Sequence, residues 1–400
     1  MTEAQVQPAT SSPTIPSDVL VTAVQSAGEK KEFIAIQYDL NKDFAAFVPP
    51  LLMERNDFFN VKKNPFFDHG EVELFIARRG GKAVGRIAAI VDRLYNDTHK
   101  CKYGWFGMFE SVNEPGVAAA LFQAAEGWIK GRGMTEVVGP ASFSSSGEFG
   151  LLIDAHDIPP KVLMPWNPPT YQALIEKAGY EKAKDLWAWY IDVTTPIPEK
   201  VERIAEKVRK REELVVRPAN LKDWDNEIRK IKEVYNDAWE NNWGFVPMTD
   251  REIDNMAKEL KQIVIPELAL FAEVKGQCVA FSLTLPDVNI ALKATGNGRL
   301  TTFGLPIGLA KLLFAMKSKV NTGRLAVLGI KSGYRRRGID SVLFLDTFYN
   351  SRKQGWDGGE ISWTLEDNDM VNRAIEVFGC KKYKTYRLFK KALAAPEMKS

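Results

Sequence analysis

Apolar and polar positions in the second half of the chain alternate in a way that spells out strand, basic turn and helix. Leu325-Ala326-Val327-Leu328-Gly329-Ile330 is an unbroken apolar run of strand length. Lys331-Ser332-Gly333-Tyr334 interrupts it. Arg335-Arg336-Arg337-Gly338-Ile339-Asp340 then leads into a helix whose apolar face is Val342, Leu343, Leu345 and Phe348. Gly358 to Leu365 alternates as a second strand, followed by Glu366-Asp367-Asn368. A helical run from Met370 to Phe378 stops at Gly379-Cys380, and Tyr383, Tyr386, Leu388 and Phe389 fit a last strand.

The first half repeats this order. Glu71–Ala77 and Lys82–Val91 read as strands joined by Arg79-Gly80-Gly81, a hairpin signal. Gly104 to Phe109 reads as the next strand, and Asn113-Glu114-Pro115-Gly116-Val117-Ala118 opens an alanine-rich helix ending near Lys130. Tyr171 to Ala178 with Gly179-Tyr180 echoes Met370 to Phe378 with Gly379-Cys380, about 200 residues later. The pattern predicts a tandem α/β protein with domains at 31–195 and 196–393. Residues 1–30, rich in Pro, Ser, Thr and Ala, are expected to be unstructured, and 394–400 to form a tail. Thr194-Thr195-Pro196-Ile197-Pro198 reads as the linker, with a charged helix, Glu199 to Glu212, beyond it.

Composition narrows the function classes. The chain is 45% hydrophobic and 26% charged, an ordinary balance for a soluble protein. A net charge of +3 gives no case for a dedicated nucleic-acid binder. Cys101, Cys278 and Cys380 lie far apart, as do His69, His99 and His156, so no metal is expected and a reducing, cytoplasmic setting is the simplest reading. No run reaches the roughly 20 apolar residues of a spanning helix.

Two further segments are unusual. Between the strand Gln277–Leu285 and the strand beginning at Leu325 lie about 40 residues, long for one connection. The stretch from Leu300 to Val320 is apolar with Lys311, Lys317 and Lys319 at its edges. It reads either as a helix covering the sheet, or as a wall for a long acyl chain, with Leu312 and Phe314 lining it, or an interfacial membrane contact. The segment from Asn236 to Pro247 carries Trp239, Trp243 and Phe245 beside Glu240 and Asn242. These side chains suit a substrate pocket, or ordinary packing of a helix hairpin. In the first half, the polar loop Gly139 to Glu148 and Pro165-Trp166-Asn167-Pro168 either face an interdomain cleft or cap their own domain.

The basic turn resembles the acyl-CoA loop of the GNAT acyltransferases, Arg/Gln-x-x-Gly-x-Gly/Ala. Arg335 and Gly338 fit, whereas Asp340 stands where a small residue is usual. The resemblance implies two mixed sheets flanked by helices. It also implies an acyl-CoA co-substrate held by Arg335, Arg336, Arg337, Gly338 and Asp340, with the backbone of Leu328, Gly329 and Ile330 polarising the thioester carbonyl. Asn368 takes the position of the helix-opening Asn of that pattern. Ile375 takes the position of its tyrosine acid, so the usual proton donor is missing. Glu360, Glu366, Asp367, Asp287 and Glu240 are the candidate bases. In the first half Gly116 and Ala118 fit the loop, Asn113 replaces its basic residue, and Glu110 and Glu114 have the wrong sign for phosphate. That copy is expected to be degenerate for CoA.

From about Phe33 to Lys391 the chain is also similar to a bacterial group of tandem GNAT-like proteins that includes ceramide synthases. The strings that carry the similarity are Asn236 to Thr249, Leu285-Pro286-Asp287-Val288-Asn289, Gly338-Ile339-Asp340 and Trp363 to Asn368. This resemblance implies transfer of a fatty acyl group to a sphingoid-type amine, with Asp287 and Asn289 joining the substrate-binding residues. It also implies a cytoplasmic protein in peripheral contact with the inner face of the membrane. An acetyltransferase acting on a small polar amine, and a binding protein with both CoA sites decayed, are the alternatives.

Overall fold

The computed structural model describes residues 13–144, 147–239 and 243–394. Its first half begins with β1 (Val19–Ala23), α1 (Ala27–Asn41), α2 (Leu52–Phe58), β2 (Gly70–Arg79), β3 (Lys82–Asp92) and α3 (Arg93–His99). β4 (Tyr103–Ser111), α4 (Pro115–Lys130), β5 (Glu136–Gly139), β6 (Leu151–Leu152), α5 (Tyr171–Lys177) and β7 (Glu181–Asp192) complete it. The second half opens with α6 (Glu199–Glu212), β8 (Leu214–Pro218), α7 (Trp224–Trp239), α8 (Asp250–Leu260), β9 (Ala269–Val274) and β10 (Gln277–Pro286). After α9 (Val288–Lys293) and α10 (Ile307–Ser318) come β11 (Thr322–Ile330), α11 (Ile339–Lys353), β12 (Gly358–Leu365), α12 (Asp369–Val377) and β13 (Lys381–Ala392).

The two halves share one sheet, in the order β1-β2-β3-β4-β5-β13-β7-β12-β11-β10-β9-β8, with β6 also on β13. Each half therefore gives its last strand to the other: β13 pairs with β5, and β7 pairs with β12. The repeat read from the sequence is real, but a cut at 195 separates β7 from the strand it pairs with. The expectation of an unstructured first 30 residues also fails in its described part. Val19–Ala23 pairs with Phe75–Arg79, because its alternating Val and Leu suit an edge strand.

Alternation along the shared strands sets the two faces. Trp187 and Trp189 of β7 pack against α11, and Phe389 of β13 packs against α4 and α5. Leu186, Ala188, Tyr386 and Leu388 point to the opposite face, with Phe33 and Ile36 of α1. The expected apolar face of α11 is there: Val342, Leu343, Leu345 and Phe348 are all buried.

Each half also clasps the other. The turn after α9 docks on the α1–α2 connection, where Gly298 (φ +69°) leaves no room for a Cβ against the Pro50 carbonyl. From the other side, His69 bridges Asp92 of its own half (Nδ1 to Oδ1, 3.0 Å) and Glu252 of the second half (Nε2 to Oε1, 3.1 Å). Burial by itself lowers the imidazole's pKa, but the bonds to Asp92 and Glu252 outweigh it and push the pKa up from 6.5 to about 9. A pKa raised on folding stabilises fully below the unfolded value and loses that stabilisation as pH rises through the folded one. Melting temperature is therefore expected to fall from pH 6.5 towards 9, and His69→Gln to flatten that slope; a thermal-unfolding pH series on both proteins checks this.

Candidate active site

β11 and β12 run parallel and pair only from Thr322–Gly358 to Leu325–Ile361. Beyond that rung they part. On its other edge β11 carries one extra residue, because Leu283 pairs with Val327 and Thr284 with Leu325, leaving Ala326 as a bulge. The strands enclose a V whose arms are Ala326–Ile330 and 362–365. The first half has the same plan: β4 and β5 pair only from Tyr103 to Trp105, and β4 bulges at Met108 and Phe109. There the gap is closed. The Ala141 N–H donates to the Phe106 carbonyl (2.9 Å), and the Ala141 carbonyl lies against the Cα of Gly107.

Aromatic side chains flank the second V. Gly329 has no Cβ, and the indole of Trp239 fills that space, only 2.5 Å from where a Cβ would stand. On the other arm, Trp363 faces Phe149 at 5.8 Å between ring centres, and Phe149 faces Trp243 at 6.2 Å. Phe245 is buried against Tyr235, and its carbonyl lies 2.7 Å from His99 Nε2, so it packs as core. Asn242 and Glu240 lie outside the described residues. A cavity of about 40 Å³ sits on the opposite face, under Leu325 and Ile361 and lined by Phe344, Phe348 and Trp356; it has room for little more than a water molecule.

At the apex of the V is a buried ionic cluster. Glu360 accepts hydrogen bonds from the Ser362 and Tyr383 hydroxyls, and Arg324 Nε stands 3.7 Å from Glu360 Oε1. Arg324 donates to Ser362 Oγ (2.7 Å), the Ser362 carbonyl (3.1 Å) and the Val162 carbonyl (3.1 Å). Burial, and then the charge on Glu360, hold the Tyr383 phenol well above its usual pKa, so it is a neutral donor. Lys384 donates to the Ile158 and Pro159 carbonyls, and burial lowers its pKa to about 8. Asp287 pairs with Lys161 at 3.0 Å and accepts from the Val162 N–H, while Asn289 donates to the Pro160 carbonyl. Asp287 and Asn289 thus clamp the first-half segment 158–162 over the second half's sheet.

The other expected residues do different work. Asn368 caps α12 through the Val371 N–H. Glu366 bonds Lys182 at 2.6 Å and Asp367 bonds Lys184 at 2.7 Å, the contacts of surface ion pairs. Ile375 is buried among α11 and β7 and faces away from the V.

The basic turn is largely engaged with its own protein. Arg335 donates to the Ala238 carbonyl at 2.6 Å, while Arg337 pairs with Glu212 at 3.2 Å and lies over the Tyr334 ring. Arg336 is exposed at φ +60°. Gly338 (φ +82°) passes the chain into α11 against Val208. Burial raises the pKa of Asp340, whose carboxylate accepts from its own N–H and that of Ser341, the donors at the start of α11. In the first half the equivalent turn is covered. The Thr14 carbonyl and Pro16 lie 2.5 and 2.6 Å from where a Cβ on Gly116 would stand, and Glu114 pairs with Arg79.

The insert does not cover the sheet. α10 buries only Gly308 and Ala315, and its main contact is α9. Leu312 is half-buried and Phe314 is 68% exposed, so Phe314 faces solvent rather than a pocket. The turn docked on Pro50 lifts α10 away from β11.

The chain is 39% identical over 386 residues to a protein from Caulobacter vibrioides named bacterial ceramide synthase, covering 94% of this chain and 98% of that one. It belongs to that protein's family. It is also 36% identical over 380 residues to protein YghO of Escherichia coli K12, covering 94% and 95%. A solved tandem GNAT protein from the clavulanic acid biosynthesis pathway superposes with a TM-score of 0.53 at 11% identity, over 95% of this chain and 100% of that one. No family model matches the chain. The protein is a tandem GNAT-fold acyltransferase. No group of His, Cys, Asp and Glu among the described residues is arranged to hold a metal ion.

Three members of the ionic cluster, Arg324, Ser362 and Lys384, gave no motif signal. Their trace in the sequence is polar groups at inward positions of alternating strands. Arg324 stands one residue before the apolar run, and Glu360 and Ser362 share one face of Gly358–Leu365. Removing one partner of a buried ion pair strands the other charge. Arg324→Met is expected to cost about 3–5 kcal/mol of stability, with Arg324→Met/Glu360→Gln recovering part of it; denaturant unfolding of both variants checks this.

Proposed function

We propose that the protein is an acyl-CoA-dependent N-acyltransferase that joins a fatty acyl group to a long-chain, sphingoid-type amine, giving a ceramide-like amide. The observation that carries this is the pairing of near-full-length family membership with a V whose arms no backbone hydrogen bond bridges among the described residues, while Ala141 bridges its first-half counterpart. The second half is the active one on this reading. The first-half gap is filled by Pro140 and Ala141, and its phosphate turn lies under Thr14 and Pro16. The donor's thioester lies in the V, with backbone N–H groups of Leu328, Gly329 and Ile330 polarising its carbonyl. Trp239, Trp243, Phe149 and Trp363 provide apolar walls for chains rather than polar contacts for a small amine.

The amine nitrogen attacks the carbonyl carbon, and the carbon–sulfur bond breaks to release CoA thiolate. The proton leaves the amine for the Tyr383 oxygen as the Tyr383 proton passes to Glu360, which Arg324 and Ser362 hold in place. The donor's phosphates rest on Arg335, Arg336 and Arg337. On this reading the protein works in the cytoplasm, at the inner face of the membrane.

Two measurements test this. Titration with palmitoyl-CoA and acetyl-CoA is expected to show tighter binding of the long chain, since each buried methylene is worth about 0.8 kcal/mol. Preference for acetyl-CoA with a water-soluble amine replaces this reading by the acetyltransferase one, and binding of neither leaves a non-catalytic protein. The second concerns the turn. Arg335→Ala is expected to weaken acyl-CoA binding. Asp340→Ala, by freeing the helix N-terminus, is expected to tighten it by about three- to tenfold, the scale of one charge at a helix end. Equal affinity in all three folded proteins removes this turn from the site.

A further inference from the structure

The insert between β10 and β11 exposes side chains that folding in water does not account for. Thr302 and Leu305 pair across a two-residue turn whose central residues, Phe303 (φ +49°) and Gly304 (φ +77°), are both left-handed. Such a turn favours Asn, Asp or Gly at its first position, and a bulky side chain there is strained. Phe303 is nonetheless 98% exposed. Bonds from Ile307 N–H to the Leu305 carbonyl and from Leu309 N–H to the Leu300 carbonyl fold the turn back onto the first turn of α10. Leu305, Leu313 and Phe314 continue the patch at 60, 61 and 68% exposure. Contiguous exposed apolar surface of this kind marks an interaction site.

The charge around the patch selects the partner. Between Asp287 and Asp340 the sequence holds no acidic residue. Arg299, Lys311, Lys317 and Lys319 are exposed around the patch and form no ion pair among the described residues. An apolar patch rimmed by unpaired cations matches an anionic bilayer, where rings and aliphatic chains enter the headgroup boundary and lysines meet lipid phosphates. No helix among the described residues is long and apolar enough to cross a membrane, so the contact is in-plane.

We propose that the Thr302–Leu305 turn and α10 are a docking face for an anionic lipid bilayer. This deepens the function proposed above. The insert joins β11 at its start and the basic turn 331–338 leaves it at its end, about 30 Å away at strand rise. A docked molecule keeps the arginine turn in water, where a donor's phosphates arrive, while the opposite end of the strand faces the lipid.

The test is co-sedimentation of the full chain with phosphatidylcholine vesicles, with and without phosphatidylglycerol. The wild type is expected to bind the anionic vesicles, less so as salt rises. Phe303→Ser/Leu305→Ser is expected to lose about tenfold or more of that binding, and Lys311→Glu/Lys317→Glu to lose the preference for phosphatidylglycerol. Wild-type protein that stays off both vesicles overturns the proposal, as does a Phe303→Ser/Leu305→Ser variant that binds like the wild type. A concentration-dependent dimer, abolished by that variant in sedimentation without vesicle binding, makes the face a contact between copies and also overturns it. Acylation of a short-chain amine in solution separates the two readings. If the wild type docks but transfers no acyl group, docking stands and the activity falls. If transfer occurs without docking, the reverse holds.

Discussion

The site exists because β11 and β12 stop pairing after Leu325 and Ile361. Separating two strands leaves backbone groups to be satisfied some other way, so a gap of this kind persists only where the surroundings hold it open. Three features do so here. The bulge at Ala326 turns the end of β11, the Trp239 indole occupies the space beside Gly329, and the Arg324–Glu360–Ser362 cluster fixes the apex. In the first half the same sheet geometry is present, and Pro140–Ala141 simply occupies the gap. The two copies differ less in fold than in what fills the space between two parallel strands.

Burying Arg324, Glu360, Asp287, Lys161 and Lys384 together is expensive, and such groups are poor evidence for stability as such. Their partners explain why they are tolerated. Val162, Ile158 and Pro159 accept from second-half cations, and Lys161 reaches back to Asp287, so the cluster is satisfied only when a first-half loop lies over the second half's sheet. The exchange of β7 and β13 imposes the same condition on the backbone. Side-chain electrostatics and strand pairing therefore specify one arrangement of the two halves.

Local pattern was enough for the elements. The strand, turn and helix from Leu325 to Phe348 and the repeat in the first half are legible because they depend on periodicity and glycine placement. The exchange of last strands was not legible, since β7 and β13 look equally suited to either partner and only three-dimensional closure decides between them. The candidate site residues divide the same way. Glu366, Asp367 and Asn368 stood in the expected places, yet Lys182, Lys184 and α12 claim them. Tyr383 and Arg324 are drawn to Glu360 from strands far away in sequence, a convergence that no spacing rule encodes. The insert misleads for a different reason. Its apolar content suggests a buried cover, and only the docking of Gly298 against Pro50 shows that α10 stands clear of the sheet.

The acid-free stretch from 288 to 339 ties these parts together. It runs without a break through the exposed insert, the strand that forms one arm of the V and the arginine turn. The carboxylates at its two ends are both engaged: Asp287 by Lys161 and the Val162 N–H, and Asp340 by the first N–H groups of α11. A charge neutralised by a neighbour contributes little to the field at a distance, whereas unpaired cations of one sign add. Arg337, Lys331 and Arg324 are offset by Glu212, Glu233 and Glu360, so the positive potential of this segment comes chiefly from the unpaired cations around the apolar insert, Arg299, Lys311, Lys317 and Lys319, and from Arg335 and Arg336 in the turn. On the proposed function, that sequence of surfaces suits a donor with anionic phosphates and a long apolar chain.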